Sequence, residues 1–154
     1  REIALANAEH LPEVLRTMAT AERPIEIRPV EPRDPLRPKL HEPKRNLWYR
    51  AIDTLPETPS LHRYLLAYAS DFSFLGTSMD PHGVSWLTPG MQVASLDHSM
   101  WFHRPFRADE WLLYVQESPG AFGARGFCTG NLFTRDGRLV VSMAQEGLLR
   151  PVAT

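Results

Sequence analysis

Between residues 58 and 75 the apolar positions recur at helical spacing. At about 100° per residue, Leu61, Tyr64, Leu65, Tyr68, Phe72 and Leu75 share one stripe. Thr58 suits an N-cap and Pro59 the first helical position, so a helix is expected from there to about Leu75. Leu66 and Phe74 fall outside the stripe and leave much of the circumference apolar. Such a helix needs cover on more than one side. The pattern then changes period. Runs at about 92–102, 111–117, 124–134 and 138–149 read as strands, as does NLWYRAI at 46–52. Asp136-Gly137 marks a hairpin, because Gly accepts the positive φ of a primed turn. Pro119-Gly120 marks the turn before it. One long helix followed by several antiparallel strands is an α+β layout, most simply a curved sheet wrapped around the helix.

Nine of the 14 prolines precede Ser60. Proline interrupts helices and central strands, so residues 31–43 read as an extended surface strap. Residues 4–18 have helical composition, broken near Pro12.

A chain of 154 residues, 43% hydrophobic and 23% charged, fits one domain with a sizeable core. Its net charge of −1 provides no basic footprint for nucleic acid. No apolar run approaches the roughly 20 residues that span a bilayer. The single cysteine, Cys128, lies among alternating apolar residues and reads as an inert core thiol, which favours a reducing compartment. No HExxH, CxxC, P-loop or dinucleotide fingerprint occurs, so neither a metal nor a cofactor is expected.

The richest chemistry lies in VASLDHSMWFHRPF, residues 93–106. Read as one strand, it places Ser95, Asp97, Ser99, Trp101 and His103 on one face and Leu96, His98, Met100 and Phe102 on the other. Polar groups on both faces are costly to bury, which hints at a site. Neighbouring strand residues point apart, so Asp97 and His98 are not expected to form a dyad. Asp71 sits at the edge of the helical stripe, where partial desolvation would raise its pKa and favour a base. It can equally cap or pair locally. Gln145, in SMAQEGLL, can orient a water or simply be a satisfied sheet amide. Ser95 has the same ambiguity, and no GxSxG elbow surrounds it.

LDHSMWFHRPF, EWLLYVQESP and RDGRLVVSMAQEGLLRP, with YLLAYASDFSFLGT and the strap VEPRDPL followed by NLWYRA, resemble the C-terminal half of type II acyl-CoA thioesterases. These are bacterial thioesterase II and its peroxisomal relatives. The resemblance runs from about Ile25 to Pro151. It implies a hotdog fold, with the long helix held in an antiparallel sheet. Members carry two hotdogs per chain, so residues 1–21 would be a linker remnant and 22–154 the second hotdog. The start at Arg1 fits a piece of a longer protein. The family's Asp, Ser or Thr, and Gln map onto Asp71, Ser95 and Gln145, with Asp71 as general base on a water held by the other two. No covalent intermediate and no cofactor are implied. Acyl-CoA is the implied substrate, and the partner is an N-terminal hotdog half or a second copy of the chain. A cytoplasmic location is expected. Asp97, His98, Trp101 and His103 belong to the family string and read as structural. The alternatives are a non-catalytic hotdog module that binds acyl chains or dimerises, and a hotdog hydratase, for which Asp71 lacks a helical His partner.

Overall fold

The computed structural model describes residues 23–151, together with Arg16 and Ala21. The linker expected over 1–21 and the helical stretch expected over 4–18 therefore lie, Arg16 and Ala21 apart, outside the described residues. The elements are β1 (Ile25–Pro29), β2 (Lys44–Ala51), α1 (Pro59–Ser70), α2 (Gly76–Met79), a 3-10 turn (Asp80–His82), β3 (Met91–Ser95), β4 (Ser99–Phe102), β5 (Leu112–Phe122), β6 (Arg125–Thr134) and β7 (Leu139–Pro151). The strands form one seven-stranded sheet in the order β1-β2-β5-β6-β7-β3, with β4 also paired to β7. Every pairing is antiparallel. The sheet curls around α1 and α2, which is the hotdog arrangement. β1 is a strand not expected from the sequence. The strap expected over 31–43 contains no helix or strand up to Glu42 but is not extended throughout: it turns at Pro35 and Leu36, where the Arg37 N–H donates to the Asp34 carbonyl at 3.3 Å. It is tied down where the His41 N–H donates to the Asp80 carbonyl at 3.1 Å and Arg33 pairs with the buried Asp80 carboxylate.

The central helix is shorter than expected, and its buried face is a different one. α1 stops at Ser70 and buries His62, Leu66, Ala69 and Ser70. Tyr64 and Tyr68, placed on the core stripe by periodicity, are 71% and 57% exposed. The reason lies in Leu75. In a continued helix Leu75 would follow Tyr64, Tyr68 and Asp71 on one face, and all three are exposed. Burying Phe74 and Leu75, each fully enclosed, requires the chain to leave the helix first. It does so through tight turns, with Phe72 N–H donating to the Ala69 carbonyl at 3.2 Å and Phe74 N–H to the Asp71 carbonyl at 3.4 Å.

Polar groups hold this turn. Ser73 Oγ meets the Tyr49 hydroxyl at 2.8 Å and accepts Gln116 Nε2–H at 2.9 Å, and Thr77 Oγ1 donates to Gln116 Oε1 at 2.9 Å. Burial pushes the Tyr49 phenol up to about 12, so it stays a neutral hydroxyl in this network. The other end of α1 is clamped by the β4–β5 connector. There the Ala108 N–H donates to buried His62 Nδ1 at 3.1 Å, and Asp109 accepts the Leu55 N–H at 2.8 Å. The Arg107 guanidinium, bonded to Asp109, brings that carboxyl down to about 2.

Two strand expectations need correction. Pro119-Gly120 is not a turn. β5 runs on to Phe122, and Pro119 falls where the β5–β6 register slips between Glu117 and Gly120, a place that tolerates its missing N–H. The turn is instead Gly123–Ala124, both at φ 60. The strand expected over 92–102 is two strands, broken at residues 96–98. Ser95 pairs with Gly147 and Ser99 with Ala144, so three residues on this edge oppose two on β7. That one-residue bulge reverses which side chains face inward. The Asp136-Gly137 turn joins β6 to β7 as expected, with Gly137 at φ 86.

Gly130 lets the turn approach the sheet. A Cβ there would lie 2.5 Å from the Tyr114 ring and 3.1 Å from Phe74, both fully buried. Gly130→Ala is expected to cost about 1–3 kcal/mol through overpacking, read as a lower urea midpoint with an unchanged slope.

Candidate active site

Three elements converge where α1 ends. Asp71 is the residue that caps the C-terminus of α1. Ser95 ends β3, immediately before the bulge. Gln145 lies within β7, paired to Cys128 on one side and facing the bulge on the other. Their side chains form a closed ring. Gln145 Nε2 donates to Asp71 Oδ1 at 2.6 Å and to Ser95 Oγ at 2.7 Å, and Ser95 Oγ donates to the same Asp71 oxygen at 3.2 Å. The structure thus brings together the three residues singled out from the sequence.

Their environments differ. Gln145 is fully buried, whereas Asp71 and Ser95 are exposed. The expectation that Asp71 lies partly desolvated on the helical stripe is therefore corrected. Because α1 stops at Ser70, Asp71 belongs to a surface turn. Asp71 Oδ1 accepts two hydrogen bonds, while Oδ2 has no partner among the described residues. The carboxylate is held at one oxygen and open at the other.

His98 departs from regular strand alternation. Alternation puts it on the face opposite Ser95, yet both reach Gln145. The bulge explains this, since inward positions are odd up to Ser95 and even from His98 onward. Asp97 stabilises the bulge, its carboxylate accepting the Glu146 N–H at 2.8 Å while the Leu96 N–H donates to the Glu146 carbonyl at 2.9 Å. His98 Nδ1 lies 3.0 Å from Gln145 Oε1, and Nε2 lies 2.8 Å from Ser70 Oγ. Its ring packs edge-on to Phe74 at 5.9 Å. The only sequence signal was the occurrence of polar residues on both nominal faces. His103, by contrast, lies away from this ring and bonds to Ser142 Oγ at 2.9 Å. His98 and Asp71 do not touch, because Gln145 stands between them. Cys128 is buried with its Sγ 3.3 Å from the Phe74 carbonyl, and burial pushes its thiol up, as suits an inert core residue. Among the described residues no group of three or more His, Cys, Asp or Glu is placed to hold a metal ion.

A helix cupped by an antiparallel sheet, with a carboxylate, a hydroxyl and an amide meeting at its end, defines a hotdog domain with a candidate hydrolytic centre. The family model described as acyl-CoA thioesterase matches residues 14–148. The chain is 46% identical over 140 residues to human acyl-coenzyme A thioesterase 8, covering 90% of this chain and 43% of that protein. The crystal structure of an acyl-CoA thioesterase II, TesB2, from Mycobacterium marinum superposes with a TM-score of 0.69 at 44% identity, covering 84% of this chain and 50% of that one. A hot dog fold protein of unknown function from Alicyclobacillus acidocaldarius, 14% identical with a TM-score of 0.63 over 84% of this chain and 47% of that one, shares the fold alone. The chain belongs to the acyl-CoA thioesterase family. It spans about half the length of the curated relatives it matches.

Gln145→Leu keeps the shape of this buried side chain and removes its amide. The His98 Nδ1 then loses its partner, and Asp71 and Ser95 lose a donor. A destabilisation of about 1–3 kcal/mol is expected from the groups left unsatisfied, measured by denaturant unfolding.

Proposed function

We propose that this chain hydrolyses acyl-CoA thioesters to free fatty acid and CoA, with Asp71 acting as general base on water. The closed contact of Asp71, Ser95 and Gln145, in a chain of the acyl-CoA thioesterase family, carries the reading. Ser95 and Gln145 fix one oxygen of the carboxylate and leave Oδ2 for the attacking water. Fixing the base in this way is the positional contribution to catalysis. The water oxygen bonds to the thioester carbonyl carbon as Asp71 takes its proton. The tetrahedral adduct then expels the CoA thiolate, which takes up that proton and leaves as the thiol. Thiolate is a good leaving group, so no strong acid is required. Ser95 is a poor candidate nucleophile because its hydroxyl is committed to a carboxylate that is itself held by Gln145. The acid product therefore forms without an acyl-enzyme.

The exposed surroundings of the site support a covering partner. Tyr68 and Tyr64 on α1, and Leu96, Trp101 and Phe102 on the β3–β4 edge, are all exposed. Among the described residues β3 and β4 pair on one side only, with β7. An open strand edge flanked by aromatic side chains suits an N-terminal hotdog half or a second copy of this chain, which would enclose Asp71 and Ser95. Residues 22–154 then form the C-terminal hotdog, with residues before them as linker. No helix among the described residues is long and apolar enough to cross a membrane. The buried free thiol of Cys128 is consistent with a cytoplasmic setting.

Asp71→Asn, made in the complete gene product, is expected to lower turnover about 10²–10⁴-fold with circular dichroism unchanged. A near-wild-type rate of thiol release from acyl-CoA would reject the general-base role. The 154-residue chain is expected to associate through a contact larger than roughly 1,000 Å². Light scattering that shows a stable monomer at high micromolar concentration would count against the covering partner.

A further inference from the structure

We infer that His98 is a positioning residue that sets the orientation of the Gln145 carboxamide, and so the direction in which Asp71 and Ser95 are held. The inference rests on the general-base reading for its activity arm only.

Counting donors fixes the tautomer. Asp71 Oδ1 lies 2.6 Å from one terminal atom of the Gln145 amide. A carboxylate only accepts, so that atom is the nitrogen. The other terminal atom is then the carbonyl oxygen, which also only accepts. It lies 3.0 Å from His98 Nδ1. Nδ1 must therefore carry a proton.

Ser70 closes the chain on the far side. Its hydroxyl sits 2.8 Å from His98 Nε2 and 2.9 Å from the Ala67 carbonyl. With a neutral imidazole, the Ser70 proton points to Nε2. With an imidazolium, Nε2–H donates to Ser70 Oγ and the Ser70 proton turns to the Ala67 carbonyl. Both arrangements keep the Nδ1–H and its bond to Gln145. Ser70 is fully buried and belongs to α1, so the ring is referenced to the element that ends in Asp71.

Without the Nδ1–H donor, the Gln145 oxygen is left buried and unpaired, and the amide can turn. Turned, it would present its oxygen to Asp71, so the carboxylate would lose both donor and position. His98 touches neither Asp71 nor the open Oδ2 side. Its loss should therefore lower kcat and leave KM nearly unchanged.

Side-chain geometry supplies the test. An Asn amide nitrogen can take the place of Nδ1, whereas a Gln amide nitrogen takes that of Nε2. His98→Asn, His98→Gln and His98→Leu are compared in the complete gene product by thiol release from acyl-CoA, with Asp71→Asn alongside. The expected result is a kcat within about tenfold of wild type for Asn. Gln and Leu should fall further, approaching the roughly 10²–10³-fold loss of an aligned donor. A folded His98→Leu with wild-type kcat, or Asn falling as far as Leu, would overturn the inference. ¹⁵N NMR of the wild-type imidazole gives an arm independent of activity and of the variants folding. The neutral ring is expected to carry its proton on Nδ1, and an Nε2–H neutral tautomer would overturn the inference. Should Asp71→Asn keep its rate while NMR shows Nδ1–H, the general-base reading fails and the tautomer assignment stands.

Discussion

Leu75 has to be buried, and a straight helix would leave it in solvent beside Tyr64, Tyr68 and Asp71. This constraint sets the rest of the structure. It ends α1 at Ser70, sends Phe74 and Leu75 under the sheet and puts Asp71 on the turn between. The aromatic contacts of Phe74 with Tyr114 at 5.5 Å and with His98 at 5.9 Å then tie the turn to β5 and to the bulged edge. Each such ring pair adds about 0.5–1.5 kcal/mol beyond its area. The Ser73, Tyr49, Gln116 and Thr77 network satisfies the polar groups that the turn carries inward. Packing thus determines where the carboxylate sits, and hydrogen bonding keeps the turn in one conformation.

The bulge at residues 96–98 performs the complementary task on the sheet. A regular strand presents every second side chain inward, so Ser95 and His98 could not both face Gln145. One extra residue changes that parity, and the Asp97 carboxylate takes up the Glu146 N–H there. The buried amide of Gln145 would be costly without partners. Its nitrogen has two acceptors and its oxygen faces His98. Sequence, local irregularity and polar satisfaction converge on a single side chain.

The site is closed from below and open from above. Gln145 and Ser70 are enclosed, while Asp71 and Ser95 face outward beside exposed aromatics. Water reaches the carboxylate freely in this chain. A covering element would strengthen the electrostatics of the ring by excluding water, and the β3–β4 edge, unpaired among the described residues, is where the backbone could accept one.

Much of this was legible in the residues alone. The alternation from β5 to β7, the Asp136-Gly137 turn and the Pro59 helix start are local signals, and local signals survive in sequence. Asp71, Ser95 and Gln145 were legible because they stand inside unusual strings whose residue types resemble a family pattern. Three features were not legible. The buried face of α1 depends on what the helix packs against, so Leu66 replaced the tyrosines in the core. The end of the helix depends on where Leu75 must go, which no helical period encodes. The bulge depends on a cross-strand bond from Asp97 to Glu146, residues 49 apart in the chain. Strand alternation therefore puts His98 on the wrong face, because strand parity is a sequence property only while the strand is regular. Composition and periodicity determined which elements form. Long-range contacts alone decided which side chains meet.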